Sequence, residues 1–229
     1  MAIQSKITDG IGLIGLDRPE KANAYDRAHL ESLQAQFKQL SERVKVVIIH
    51  SVHSRFFCAG ADLDEMRDAK PEDARNLRSQ KVFTEIARSP VISIAVIDGP
   101  AVAGGFELAL AADLRVIGPN ASFRLPEVSL GIIPAAGGST RLTATLGASI
   151  AKHVILANQP ISAAQAVAWG LGMQADQDPL ETALIWARQL TLNPDAAQSA
   201  KRVIDAAAED RSLRDEREAQ AVLYGKRND

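Results

Sequence analysis

The sequence predicts an α/β protein: a core of repeated strand–loop–helix units followed by a helical C-terminal region. Three observations carry this. Short runs of branched apolar residues, within Lys45–Ser51 and across Val91–Asp98, read as buried strands. Each run is followed by a loop of small residues and then by helical periodicity. No low-complexity stretch or long linker splits the chain, and 229 residues at 46% hydrophobic composition can bury a sizeable core.

In order, Ile11, Leu13 and Leu16 near an Asp9-Gly10 turn predict a hairpin of two short strands, stopped by the polar loop Arg18-Pro19-Glu20-Lys21. Leu30, Leu33, Phe37 and Leu40 recur at helical spacing behind Asp26, a natural N-cap. After the strand at 45–51 comes a loop through Phe56-Phe57-Cys58-Ala59-Gly60. Helices are expected at 62–69 and, behind Pro71, at 72–88. The second strand ends at Gly99-Pro100, a helix starts near Gly104 and runs to Asp113, and Leu114–Ile117 forms another strand. From Gly137 the chain reads as helical nearly to its end, with Ser162 and Asp178 as caps. The charged tail over 211–229 reads as a solvated helix.

Composition excludes several classes. The chain has 26 Lys+Arg against 28 Asp+Glu, a formal net charge of −2, which argues against a nucleic-acid binder relying on bulk positive charge. A single Cys forbids an internal disulfide framework or a Cys-rich zinc site. No secretory signal is visible and no apolar run is long enough for a bilayer, so the expectation is a cytoplasmic protein with no membrane partner. Gly10, Gly12 and Gly15 match a dinucleotide fingerprint in letters, yet Asp17-Arg18-Pro19 follows instead of a helix start. The His residues at 29, 50, 53 and 153 lack metal-site spacing, so no metal is expected, and Cys58 reads as a buried small side chain.

Two features carry chemistry. The first is a pair of junctions rich in small residues, Cys58-Ala59-Gly60-Ala61-Asp62-Leu63 and Ala103-Gly104-Gly105-Phe106-Glu107. Helix-start amides have no intrahelical partner, and small residues let a ligand reach them. Two such amides aimed at one oxygen make an oxyanion hole; the same glycines equally suit tight helix–strand packing. The second feature is a pair of acids among apolar neighbours, Glu107 and Glu127. Burial raises a carboxyl pKa toward neutrality and suits it to proton transfer, although each acid alone also fits a solvated or capping role.

At these residues the chain closely resembles the crotonase (enoyl-CoA hydratase/isomerase) superfamily. The matching blocks run from Leu16-Asp17-Arg18-Pro19-Glu20-Lys21-Ala22-Asn23-Ala24 through Phe57–Leu63 and Ala103–Ala109. They continue in Ala112-Asp113 and Leu125–Val128 and end in Gly131–Pro134 and Gly137–Leu142. They occur in the family's order and cover most of the chain. The resemblance implies a crotonase-like spiral of β-β-α units over 1–190 and a helical trimerisation region over 191–229, shortened relative to the family. It implies assembly as a homotrimer or dimer of trimers. The implied substrate is an acyl-CoA thioester, with no separate cofactor because coenzyme A is part of the substrate.

The resemblance also implies roles. The amides of Ala61 and Gly104 hold the thioester oxygen. Glu107 activates a water at C3 and Glu127 protonates C2, which is enoyl-CoA hydratase chemistry. Lys21, Ala22, Ala24, Ala59, Asp62, Leu63 and Asp64 match CoA-contacting segments, and Arg18 and Lys21 offer positive charge nearby. Two residues depart from the pattern. Tyr25 stands where an aliphatic residue is usual. Arg124 stands near Glu127, where a guanidinium would lower its pKa. These departures motivate a second reading, isomerisation or C–C cleavage on an acyl-CoA. The short C-terminus motivates a third, a non-catalytic acyl-CoA-binding protein.

Overall fold

The computed structural model describes residues 3–66, 70–176 and 178–208. β1 (Ile3–Thr8) and β2 (Ile11–Leu16) form the expected antiparallel hairpin, with Thr8 opposite Ile11. Asp9 and Gly10 have φ of 52° and 74°, the left-handed pair that a tight two-residue turn demands. Parallel strands then extend the sheet: β3 (Val46–Ser51), β4 (Ile92–Ile97), β6 (Leu114–Ile117) and β9 (Met173–Gln174). The sheet order is β1-β2-β3-β4-β6-β9. A second sheet of β5 (Pro100–Val102), β7 (Ser122–Arg124) and β8 (Ile161–Ser162) stands beside it.

Helices cover both faces of the large sheet. α1 (Arg27–Ser41) starts where Asp26 accepts the His29 amide at 3.0 Å, and buries Leu30, Leu33, Phe37 and Leu40. The same face takes α4 (Arg78–Arg88) through Val82, Phe83 and Ile86, and α5 (Gly104–Ala111). The opposite face, with Ile11, Leu13, Val46, Ile48, Ile92 and Ile94, is covered by Ala183 and Ala187 of α8 (Pro179–Leu190). Strand alternation therefore sends β2 side chains to two cores, which is why this strand is apolar or glycine throughout. α9 (Pro194–Ala208) is tied to the core by Lys201, whose Nζ lies 2.8 Å from Asp113 and 3.2 Å from the Val91 carbonyl.

Three sequence expectations need correction, and the helix expected at 62–69 is met as far as the described residues reach. Residues 72–88 are not one helix: α3 (Pro71–Arg75) ends at Asn76, and Leu77, at φ −51° and ψ 111°, starts α4. The helix expected at 62–69 is seen as α2 (Leu63–Met66), and 67–69 fall outside the described residues. Pro100 begins β5 instead of simply ending β4; it takes the first position of an edge strand, where its missing N–H costs no ladder bond. The C-terminal half is not continuously helical. α6 (Gly138–Leu156) bends at Gly147, and β8 and β9 flank α7 (Ala163–Ala168). Ser162 and Asp178 do cap α7 and α8. The tail over 211–229 lies outside the described residues.

Candidate active site

Three segments run side by side at the heart of the site. The Tyr25 amide donates to Gly60 O at 2.8 Å and the Asp62 amide donates to Tyr25 O at 2.8 Å. That bracketing turns the Ala61 N–H away from Tyr25. On the other side, Val102 N donates to Cys58 O at 2.9 Å, which draws residues 101–104 against 58–61. The approach is close: a Cβ on Gly60, whose φ is +92°, would lie 2.9 Å from Gly104 N. Ala103 takes φ 50° and ψ −127°, a strained conformation for a residue with a Cβ, and it sets the direction of the Gly104 amide. Neither the Ala61 nor the Gly104 N–H donates to another group among the described residues. Both residues line one cavity of about 530 Å³.

The two acids line the same cavity, and their environments differ. Glu107 sits on the first turn of α5, an element buried along its whole length. Its Oε1 accepts the Ala136 and Gly138 amides, each at 2.8 Å, so it occupies the N-terminal end of α6. Glu127 opens a short 3₁₀ turn at Glu127–Leu130 and is only 5% exposed. Its Oε2 has no hydrogen-bond partner among the described residues. Burial pushes its pKa from 4.5 up to about 7. Arg124 does not counteract this. Its Nε donates to Asn158 Oδ1 at 2.9 Å on the exposed side of β7, and burial dominates at Glu127.

Of the residues singled out from sequence, Lys21, Ala24, Ala59, Asp62 and Asp64 join Ala61, Gly104, Glu107 and Glu127 around this cavity. Lys21 Nζ stands 3.0 Å from Asp64 and 3.4 Å from Asp62, and the Asp64 hydrogen bond is the first cause of its raised pKa. Asp62 is held below the usual carboxylate range, first by the Asp64 amide and then by Lys21 and Arg18. Ala22 does not line the cavity: at φ 48° it turns its carbonyl to the Ala59 amide, 3.0 Å away. Leu63 opens α2, and its side chain lies outside the described atoms. Arg18 is structural. It donates to Ala24 O at 2.8 Å and pairs with Asp62 at 3.1 Å, holding the loop instead of facing the cavity.

Sequence reading missed the apolar wall formed by Leu77, Leu130, Ile132 and Ile133, together with Ser79. Ile132 and Ile133 fell in a resembling block but carried no chemical signal. Leu77 and Ser79 looked like ordinary helix residues.

The profile described as "Enoyl-CoA hydratase/isomerase" matches residues 6–229. The chain belongs to that family, within the crotonase superfamily. It is 40% identical over 205 residues to "Probable enoyl-CoA hydratase 2, mitochondrial" of Arabidopsis thaliana, covering 86% of this chain and 67% of the relative. It is 35% identical over 198 residues to "2,3-dehydroadipyl-CoA hydratase" of Escherichia coli (strain K12), covering 84% and 77%. A bovine relative, "Enoyl-CoA hydratase domain-containing protein 2, mitochondrial", is 42% identical over 71% of this chain, which spans only 56% of that relative's length. Among solved structures, an enoyl-CoA hydratase from Bacillus anthracis superposes with a TM-score of 0.86 at 32% identity, covering 99% of this chain and 92% of that one. The fold is therefore the crotonase fold expected from the sequence. No helix among the described residues is long and apolar enough to cross a membrane.

Proposed function

We propose that this protein is an enoyl-CoA hydratase that adds water across the C2–C3 double bond of a 2-enoyl-CoA. One observation carries the reading: two amides without an acceptor among the described residues and two buried acids converge on a single cavity. The thioester oxygen accepts the Ala61 and Gly104 N–H groups. Each such donor is worth about 3 kcal/mol when negative charge grows on that oxygen. Family membership and the hydratase names of the relatives support the same reaction.

In the proposed step, Glu107 takes a proton from the water as its oxygen bonds to C3. The π electrons move to C2 and onto the thioester oxygen, and Glu127 gives its proton to C2 as the carbonyl re-forms. Water's hydroxyl and one proton end on the product. Glu107 is left protonated and Glu127 ionised, and transfer of that proton back resets the pair. Glu127 suits the acid role because burial keeps a large fraction of it protonated near neutrality. Glu107 suits the base role because two amides fix Oε1 and orient the carboxyl into the cavity. The Lys21, Asp62 and Asp64 cluster at the same cavity is assigned to the CoA side.

Crotonyl-CoA tests the proposal. Its enoyl-thioester absorbance is expected to fade with a mass gain of one water. Screening 3-enoyl and malonyl-type thioesters by mass spectrometry separates isomerisation and C–C cleavage. A protein that binds acyl-CoA and leaves every thioester unchanged defeats the enzymatic reading. We also propose assembly as a homotrimer or dimer of trimers, in keeping with the exposed Leu192, Val203 and Ile204 on and before α9. Sedimentation should return the mass of three or six chains.

A further inference from the structure

We infer that Tyr25 sets the depth of the acyl end of the cavity, so that the site takes short acyl chains. The inference rests on the acyl-CoA reading of that cavity and goes beyond it in assigning a residue and a substrate class. Tyr25 is fixed at its backbone by the paired bonds to Gly60 and Asp62, both 2.8 Å. Its side chain is held by two elements, α5 and α4. A methyl on Gly104 would fall 1.8 Å from the Tyr25 Oη, so the hydroxyl rests directly on the Gly104 backbone. Ser79 of α4 lines the same cavity and interacts with the phenol. Phe83, one turn further along α4, meets the ring edge-on at 5.8 Å and 88°. Burial, and next the charge of Glu107, push the phenol pKa well above its ordinary value, so the hydroxyl stays a neutral hydrogen-bonding group at physiological pH.

The ring is a partition. In front of it lies the cavity that holds Glu107 and Glu127. Behind it lies a small, partly open pocket of about 20 Å³ bordered by Leu16, Leu30, Leu33 and Leu108 and, on its polar side, by Arg18, Asn23 and His29. Tyr25 and its neighbour Ala24 are the residues that border both spaces among those described. A void of that size has room for about one water and no acyl chain. An aliphatic side chain would not fill the place of the ring beside Phe83 and Gly104, and the space behind would open to the substrate. Each methylene sheltered there is worth about fourfold in affinity, so a chain with two or three extra methylenes gains about tenfold or more.

The test compares 2-butenoyl-CoA with 2-decenoyl-CoA in kcat/KM, and butyryl-CoA with decanoyl-CoA in Kd by titration calorimetry. Wild type is expected to favour the short member of each pair. Tyr25→Leu should move both ratios toward the long chain by about tenfold, while Tyr25→Phe, which keeps the ring, should hold them within about threefold. Ser79→Ala also keeps the ring in place and should hold the ratios, whereas Tyr25→Met, which removes the ring, should move them in the same direction as Tyr25→Leu. A common loss for both chain lengths in Tyr25→Leu means the ring only packs, and overturns the inference. Should Tyr25→Leu fail to fold, an unchanged ratio in Tyr25→Met overturns it. The saturated ligands report depth without turnover. Tight, chain-selective binding with no hydration therefore sinks the hydratase proposal alone, and hydration without chain selectivity sinks this one alone.

Discussion

Glu127→Gln should remove activity and at the same time make the protein more stable at alkaline pH. The magnitude follows from the site. The carboxyl is 5% exposed, its Oε2 has no partner among the described residues, and burial moves its pKa from 4.5 to about 7. Between those values the folded chain keeps a proton that the unfolded chain has released. Stability therefore falls as pH rises through that window and the loss is complete above about pH 7. The interval corresponds to ~3 kcal/mol at 1.36 kcal/mol per pH unit. Glutamine has nearly the same shape and does not titrate. Any fixed cost of burying its amide is the same at pH 4 and pH 8 and cancels in the comparison. The stability of Glu127→Gln relative to wild type should thus improve by ~3 kcal/mol between pH 4 and pH 8, or about 6–12 °C in melting temperature for a chain of this size. Urea titrations of both proteins at the two pH values measure this directly. Parallel pH dependences would refute the reasoning, because they would show Glu127 titrating as an exposed carboxyl does. In the enzymatic assay the variant should lose about 10²–10⁴ in kcat.

The remaining predictions return to Glu127 and extend to Glu107, Gly104 and Ala103. Wild-type kcat/KM on crotonyl-CoA should fall as pH rises above about 7, since the acid form of Glu127 is the one required; a profile rising through that range contradicts its assignment as acid. Glu107→Gln should cost about 10²–10⁴ in kcat yet melt near wild type, because its Oε1 still accepts the Ala136 and Gly138 amides, whereas Glu107→Ala should also cost about 1–3 kcal/mol by stranding those amides. Gly104→Ala places a methyl 1.8 Å from Tyr25 Oη, and the displacement should lower kcat by about 10²–10³ as the oxyanion hole is disturbed. Ala103→Gly relieves φ 50°, ψ −127° and should stabilise the chain by about 1 kcal/mol in urea titration.

What could be read from sequence was what local chemistry determines. The Asp9-Gly10 turn, the Asp26 cap and the 3.6-residue spacing of Leu30, Leu33 and Phe37 each carry their own signal, and each element is present. β5 and β7 carry none. They are three residues long, and Pro100 and Ser122 become strand residues only because they pair with each other across the fold. The break at Asn76 and Leu77 is invisible to periodicity, since so short an interruption does not disturb the pattern on either side. The acids were legible because a carboxylate among Phe106, Leu108 and Leu125 is costly without a purpose. Arg124 misled for the opposite reason: it is near Glu127 in sequence, but strand alternation in β7 turns it outward to Asn158. Tyr25 was legible only as a departure. Its partners, Ser79 and Gly104, lie 54 and 79 positions further along the chain, a relation that no local pattern encodes.

The two glutamates are the same functional group, so any difference in role must come from the fold. α5 and α6 both begin at this cavity, and each helix start presents main-chain N–H groups that need an acceptor. At α6 the protein supplies the acceptor itself, the Oε1 of Glu107. At α5 the strained Ala103 aims the Gly104 N–H into the cavity with no acceptor among the described residues, which leaves that helix end available to a substrate oxygen. Glu127 belongs to neither helix start, and burial is what holds its proton to about pH 7. An oriented acceptor, a retained proton and an open donor pair are the three groups that hydration of an enoyl thioester requires. The placement of two helix ends thus differentiates residues that composition alone could not distinguish. It also makes the arrangement sensitive to the few positions, Gly60, Ala103 and Gly104, where the backbone has no room to adjust.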